Sequence, residues 1–191
     1  RKYLEEVSNQ IYENSNNLST MILNMLDLAM LNVQNIELRK SDVNLTKLIN
    51  ERIKTCSNLY IQGKDIEFQL SIEDGIVFFV DADYIRQMID NLLVNAIKFS
   101  EKGVIKVVLS KQDKEIMLTV EDQGIGIPED EIYDIFTPFK MASNTESKAK
   151  GRGVGLSLCK AVVKSHGGEI TVKSDTRGTI FTVFLPILDK G

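Results

Sequence analysis

The stretch Glu121-Asp122-Gln123-Gly124-Ile125-Gly126-Ile127-Pro128 decides how this chain is read. Just before it, Ile116, Leu118 and Val120 alternate with Met117, Thr119 and Glu121, the period of two expected of a strand whose faces meet different surroundings. Such a strand delivers Asp122 into a turn. Gly124 and Gly126 permit backbone angles and close approaches that a side chain obstructs, while Pro128 fixes one dihedral and can open a helix. An acid then faces a cleft with bare backbone beside it. Alone, a Gly-x-Gly run more often marks an ordinary strand-to-helix connection, so the rest of the chain has to decide.

Upstream, Asp81 is placed to begin a helix through Ile85, Met88, Ile89, Leu92, Leu93, Ala96 and Ile97. Asn91, Asn95 and Lys98 fall near one another on it at helical spacing, so two amides and a lysine share one side. Asparagines on a helix are ordinarily solvent-facing, but the surroundings here are strongly apolar. An amide oxygen together with substrate phosphates could hold a hard divalent cation that keeps several waters, as magnesium does. Gly103 turns the chain into Val104–Leu109, which reads as an antiparallel neighbour of the strand ending at Glu121.

Downstream, Glu129, Asp130 and Glu131 suit the first turn of a short helix ending near Phe136, with Phe139 close behind. Lys140 to Lys150 is polar and without periodicity, a loop. It ends in Gly151-Arg152-Gly153-Val154-Gly155, after which Leu156, Leu158, Cys159, Val162 and Val163 continue as a helix to His166, with Gly167 as its stop. Free amides at a glycine-rich helix start suit phosphate. Glu169–Lys173 and Thr179–Leu185 read as two strands joined around Gly178. His166, the one histidine, sits where it serves helix termination and packing, and is rejected as a phosphate acceptor.

The first part of the chain is different. Leu4, Val7, Ile11, Leu18, Ile22, Met25 and Ala29 recur at spacings of three and four, with Asn14 filling the gap, as in a coiled-coil-like helix whose stripe needs partner helices. The pattern breaks after Val33. Residues 37–43 read as a short strand, Asn44 as the N-cap of a helix through Leu45, Leu48, Ile49, Ile53 and Cys56, and Ile66–Ile72 with Ile76–Val80 as a hairpin. This gives two units, a helix over 1–36 and an α+β domain over 37–191, with strands clustered and helices covering one face.

Composition narrows the class. A chain of 191 residues with 43% hydrophobic content buries a substantial core, and its net charge of -4 excludes a general nucleic-acid or membrane-surface binder. Two cysteines make no disulfide framework and read as buried thiols of a reducing cytoplasm. No apolar run is long enough to cross a bilayer. Because Arg1 rather than methionine opens the chain, a fragment or processed form is expected.

Asn91/Asn95/Lys98, Asp122-x-Gly-x-Gly, Phe136/Phe139 and the Gly151–Gly155 run, in this order and spacing, closely resemble the N, G1, F and G2 boxes of sensor histidine kinases. The resemblance covers Asn44 to Pro186, and residues 1–32 look like the second helix of that family's dimerisation and histidine-phosphotransfer region. It implies the Bergerat ATP-binding fold, a two-layer α/β sandwich with a mixed sheet, shared with DNA gyrase and MutL. It also implies that ATP and Mg2+ are bound. Asp122 would accept a hydrogen bond from the adenine amino group, with Gly124, Gly126 and Ile127 shaping that pocket. Asn95 would ligate magnesium, and Asn91 and Lys98 would assist at metal and phosphates. Gly151, Gly153 and Gly155 would let the lid and the following helix approach the triphosphate. Phe139, Lys140, Val154 and Leu156 would belong to the ATP site, Arg152 would either meet phosphate or point outward, and Phe136 and Phe139 would anchor the lid. The implied partners are an upstream histidine-bearing helix, a response-regulator receiver domain and a second copy joined through the N-terminal helix.

There are departures from the family's pattern. Arg152 and Val154 replace the threonine and leucine of many members, Lys140 and Met141 follow the second aromatic where an arginine is common, and the box carrying the phosphoacceptor histidine is absent. A hydrolytic ATPase of the wider superfamily would carry a glutamate base four residues before Asn95, where this chain has Asn91, and an amide cannot take the proton from water. A nucleotide-binding or dimerisation module without catalysis is the third reading.

Overall fold

Asn44 and Asp81 each start a helix by offering a side-chain oxygen to amides that the first helical turn leaves without partners. Asn44 accepts from Lys47 N at 2.9 Å and opens α1 (Leu45–Tyr60). Asp81 accepts from Asp83 N at 3.1 Å and Tyr84 N at 3.3 Å and opens α2 (Ala82–Phe99). The computed structural model of the chain describes residues 38–145 and 153–187 and, of the N-terminal segment, Val7, Ser8, Ile11, Ser15, Leu18, Ser19, Ile22, Met25, Leu26 and Ala29, all helical. Leu4, Asn14, residues 146–150, Gly151 and Arg152 lie outside the described residues. Ile11, Leu18, Ile22 and Leu26 are exposed, so the apolar stripe of the first helix is uncovered at these positions.

Besides those two helices the domain contains β1 (Lys40–Asn44), β2 (Asp65–Ile72), β3 (Val77–Asp81), β4 (Lys102–Lys111), β5 (Glu115–Asp122), α3 (Gly155–Ser165), β6 (Glu169–Asp175) and β7 (Gly178–Pro186). A five-stranded sheet has the order β2-β4-β5-β7-β6, with β2 parallel to β4 and every other pair antiparallel. Strands β1 and β3 form a separate antiparallel ribbon. The expected hairpin between Ile66–Ile72 and Ile76–Val80 is therefore wrong. These two segments belong to different sheets, and β2 finds its partner only after the chain has crossed through β3 and α2. The helix expected after Pro128 shortens to one 3-10 turn, Glu129–Glu131, followed by further turns to Phe136.

Alternation along the strands sends one set of side chains inward. Ile105, Val107 and Leu109 of β4, Ile116, Leu118 and Val120 of β5, and Phe181, Val183 and Leu185 of β7 are all buried. Opposite them, Ile85, Met88, Ile89, Leu92, Leu93, Ala96 and Ile97 fill the inward stripe of α2, and α1 and α3 pack on its two sides. Truncating one of these leucines, isoleucines or Met88 to alanine costs about 2–5 kcal/mol. One layer of helices thus covers one sheet face, and α2 is its centre.

The ends of α2 are tied to other elements. The Asp81 carboxylate also accepts from Arg39 N at 2.8 Å, and the Asp81 amide donates to His166 Nε2 at 3.1 Å. His166 is buried, its Nδ1 lies 2.8 Å from Val162 O, and burial lowers its pKa, so the neutral ring donates at Nδ1 and accepts at Nε2. This is the packing and termination role expected of it. We predict that Asp81→Ala lowers stability by about 2–3 kcal/mol, the loss of a helix cap plus an orphaned amide, measured as the shift of the urea midpoint at constant slope. A loss under about 1 kcal/mol would mean that water replaces the carboxylate.

Candidate functional site

The last turn of α2 meets the turn after β5. Strand β5 ends at Asp122, whose carboxylate accepts from the Gly124 amide at 2.8 Å and from the Thr179 amide. Ile125 N then donates to Phe99 O at 3.3 Å. A β-carbon on Gly124 would sit 2.6 Å from that same carbonyl oxygen, so only glycine fits there. Gly126 has φ +67, and a β-carbon on it would collide with the Asp175 carbonyl. Both glycines are thus required by space, and the second also by its backbone angle.

Further bonds hold the loop from the sheet side. Ser174 Oγ accepts from Ile127 N at 2.9 Å and lies 2.9 Å from both Gly178 O and Thr179 Oγ1. Asn144 Nδ2 donates to Gly126 O at 3.0 Å, and Gln123 Oε1 accepts from Val104 N at 3.0 Å. Sequence reading did not single out Phe99, Asn144, Ser174 or Thr179. The available signals were that Phe99 follows Lys98 at the helix end and that Ser174 and Thr179 flank the Gly178 turn.

The Asp122 carboxyl is only 7% exposed. Its removal from water raises its pKa from 3.8 to about 6, against the opposing pull of the Gly124 and Thr179 amides. At neutral pH it is an anion withdrawn from water with two backbone donors. Lys98 is half-buried on α2, its Nζ 5.2 Å from the Phe99 ring centroid, and desolvation lowers its pKa. Lys98 immediately precedes Phe99, whose carbonyl meets the loop that follows Asp122, so both groups belong to the C-terminal end of α2.

Farther back, near the middle of its length, α2 meets the second glycine segment. Asn91, Asn95 and Lys98 are all half-buried, and the helical repeat sets them one above another along one face. A β-carbon on Gly155 would stand 2.9 Å from Asn91 Oδ1, so the first residue of α3 packs directly on this amide. Val154 is buried at the N-cap, and Leu156 packs against the core. Gly153 O accepts from Phe139 N at 2.8 Å, which closes the neck of the loop between them.

Phe136 is anchored by its ring, edge-on to Phe181 at 6.3 Å with Lys160 Nζ 5.5 Å from its centroid. Phe139 is held by its backbone instead. It has φ 67 and a 57% exposed side chain, so the expected aromatic anchor at this position is a main-chain one. Lys140 points to Asp134, 3.4 Å away in an exposed pair, and is not brought to the face carrying Asn91, Asn95 and Lys98. Cys56 and Cys159 are buried thiols raised by desolvation to about 11 and about 12, too high for a thiolate nucleophile at neutral pH. An open groove of about 1020 Å3 between Ile127–Phe136 and β6 contains none of Asn91, Asn95, Lys98 or Asp122. It adjoins the glycine loop without being the same site.

The residues present fit a nucleotide with a divalent cation. A buried acceptor beside bare backbone suits a base bearing an amino group, a desolvated ammonium suits phosphate, and one neutral amide oxygen suits a hard cation that takes its other ligands from phosphate and water.

The model for "Histidine kinase-, DNA gyrase B-, and HSP90-like ATPase" matches residues 80–189. The chain is 32% identical to the sensor protein KdpD of Clostridium acetobutylicum, over 97% of this chain and 21% of that protein. It is 33% identical to the adaptive-response sensory kinase SasA of a Synechococcus strain, over 95% of this chain and 50% of that protein. It thus spans half or less of these curated relatives. Among solved structures, a histidine kinase of Acinetobacter baumannii, AdeS, superposes with a TM-score of 0.80 at 21% identity, over 95% of this chain and 84% of that one. The mycobacterial sensor histidine kinase MprB gives 0.67 at 28% identity, over 77% and 97%.

The raised pKa of Asp122 carries a stability consequence. Its folded value of about 6 exceeds the ordinary 3.8, so between them the folded state holds more protons and stability falls as pH rises. We predict that Asp122→Asn raises stability by about 1–3 kcal/mol at pH 7.5, and that the gain shrinks at pH 4.5. Urea melts of both proteins at the two pH values check this; a gain independent of pH would refute the assigned cause.

Proposed function

The chain belongs to the family of histidine kinase-, DNA gyrase B- and HSP90-like ATPases, with the mixed α/β sandwich of sensor-histidine-kinase catalytic domains, and on that footing we propose how its residues serve ATP. Asp122 accepts a hydrogen bond from the adenine amino group, and Gly124, Gly126 and Ile127 make room for the ring. Asn91, Asn95 and Lys98 face the phosphates, with Asn95 as the magnesium ligand, and Gly153, Val154, Gly155 and Leu156 bring backbone amides of the α3 start toward them. Magnesium, when bound, neutralises the charge that builds on the transferring phosphoryl group.

The observation that carries this reading is that one helix touches both glycine segments. The Phe99 carbonyl meets Gly124 and Ile125, and the Asn91 amide meets Gly155. A ligand held along α2 therefore has its base end and its phosphate end fixed by one rigid element. Phosphoryl transfer asks for such positioning and charge neutralisation rather than for a covalent partner. A carboxylate base beside Asn95 is what hydrolysis would need, and the corresponding position is the amide Asn91, which favours transfer over hydrolysis.

The acceptor we propose is a histidine on a helix upstream of Arg1, from which a response-regulator aspartate receives the phosphoryl group. We propose further that residues 1–36 are the second helix of the dimerisation region and pair with a second copy. His166 cannot be the acceptor, since it is buried with both ring nitrogens engaged.

Mixing the chain with the upstream helix of its parent, magnesium and labelled ATP should give acid-labile phosphate on that histidine. Tight ATP binding without transfer would leave a passive module, and rapid phosphate release without phosphohistidine would indicate hydrolysis. Asp122→Ala should weaken adenine nucleotides more than about tenfold, as expected when a charged hydrogen-bond acceptor is lost, while the far-ultraviolet circular dichroism stays unchanged. Asn95→Ala should shift the magnesium dependence of ATP binding; coincident titration curves would remove its role as metal ligand.

A further inference from the structure

A helix end leaves its last carbonyls without partners inside the helix, and something else must satisfy them. At the C-terminus of α2 that partner is the Lys64 ammonium. Its Nζ donates to Ile97 O at 2.8 Å, Lys98 O at 3.1 Å and Ser100 O at 2.7 Å. An ammonium has three hydrogens to give, and all three are used. The Ser100 hydroxyl is buried and makes no bond among the described residues, so it does not share this duty.

The carbonyl that Lys64 leaves alone is Phe99 O, which takes Ile125 N and abuts Gly124. The four carbonyls of this turn are thereby divided between one lysine and the glycine loop. With the peptide groups on either side of Phe99 held by the ammonium, the Phe99 carbonyl is aimed at the loop and cannot swing toward water. The same turn carries the Lys98 side chain and the Phe99 ring. Lys64 itself is placed by the turn at Gly63, φ +80, and by the start of β2 beside β4, where Asp65 N donates to Glu101 O at 3.2 Å.

We propose that Lys64 is a positioning residue for nucleotide binding, one that sets the Phe99 carbonyl and through it the Gly124–Gly126 loop without touching the nucleotide. The proposal rests on reading this loop as the base end of an ATP pocket. It is also separable from that reading, because a loop position can be measured without ligand.

The test uses the whole 191-residue chain, its Lys64→Met, Lys64→Arg and Lys98→Met variants, and calorimetric titration with adenosine, ADP and magnesium ATP. Lys64→Met should lose about tenfold for all three ligands alike, in line with misplacement of a binding group. Lys64→Arg should recover most of that loss, since a guanidinium also donates to several carbonyls. Lys98→Met, by contrast, should lose ATP and ADP and keep adenosine. Equal affinities in wild type and Lys64→Met would overturn the proposal, and so would a loss confined to the phosphorylated ligands, which is the mark of a distant charge. Hydrogen exchange supplies the second measurement. In Lys64→Met the Ile125 amide should exchange about tenfold faster while core amides such as that of Val107 keep their rates, a local opening rather than global unfolding. Equal acceleration at both would reduce Lys64 to a general stabiliser. Should Lys64→Met fail to fold, Lys64→Gln, which keeps a donor, carries the same comparisons. Absence of nucleotide binding by the wild type would overturn the ATP reading and leave the exchange result to decide the role of Lys64.

Discussion

Backbone lying directly on backbone, with no space for a β-carbon between, is the constraint on which this site depends. Gly124 rests on the Phe99 carbonyl, Gly126 on the Asp175 carbonyl and Gly178 on the Asp122 carbonyl. These contacts join the end of α2, the loop after β5 and the turn between β6 and β7 into one cluster. A methyl group at any of the three would force strands or helix apart, and a packed interior does not absorb such a shift cheaply. The hydrogen bonds of Asp122, Ser174 and Thr179 close around the same cluster, so burial of the acid and closeness of the chains are one arrangement.

That arrangement accounts for the electrostatics. Ionising Asp122 in such surroundings works against folding, as its raised pKa records. Native proteins keep a group of this kind where a function uses it, and strained or unfavourable groups collect at binding sites for that reason. Lys98 is desolvated in its turn, with the sign that suits phosphate. Burial thus works against the charged form of both groups, raising the pKa of the acid and lowering that of the lysine.

Legibility followed the range of the interaction. Asn44 and Asp81 were readable as caps because a cap is written within four residues, and the inward sets of β5 and α2 because periodicity is local. The terminating role of His166 was readable from Gly167 and Gly168, although its bond to Asp81 across the helix layer was not. The parallel pairing of β2 with β4 left no local mark: Gly75 advertises a hairpin turn, and nothing near it says that Ile72 and Ile76 go to different sheets. A parallel partner is reached only through a long crossover, and here that crossover is β3 with α2. The site behaves in the same way. Asp122, its glycines and the Asn91/Asn95/Lys98 face carry composition and spacing that can be read directly, whereas Ser174, Asn144 and Lys64 act only through contacts that the fold creates. Lys140 shows the converse, a plausible cation by sequence position that the fold turns toward Asp134.

The two glycine segments beside α2 differ in how they are held. The loop after β5 is enclosed by the sheet, the end of α2 and a network of hydrogen bonds. The start of α3 packs on Asn91 of α2, and just before it Phe139 N donates to Gly153 O. Phe139 itself adopts φ 67, an angle that costs a residue other than glycine of order 1 kcal/mol. The chain accepts that strain where the loop must reverse beside the site, while Phe136, three residues earlier, is locked against Phe181. The first glycine segment is thus set by close backbone packing and the second by a main-chain bond at a strained residue, two different means of fixing a turn beside one helix.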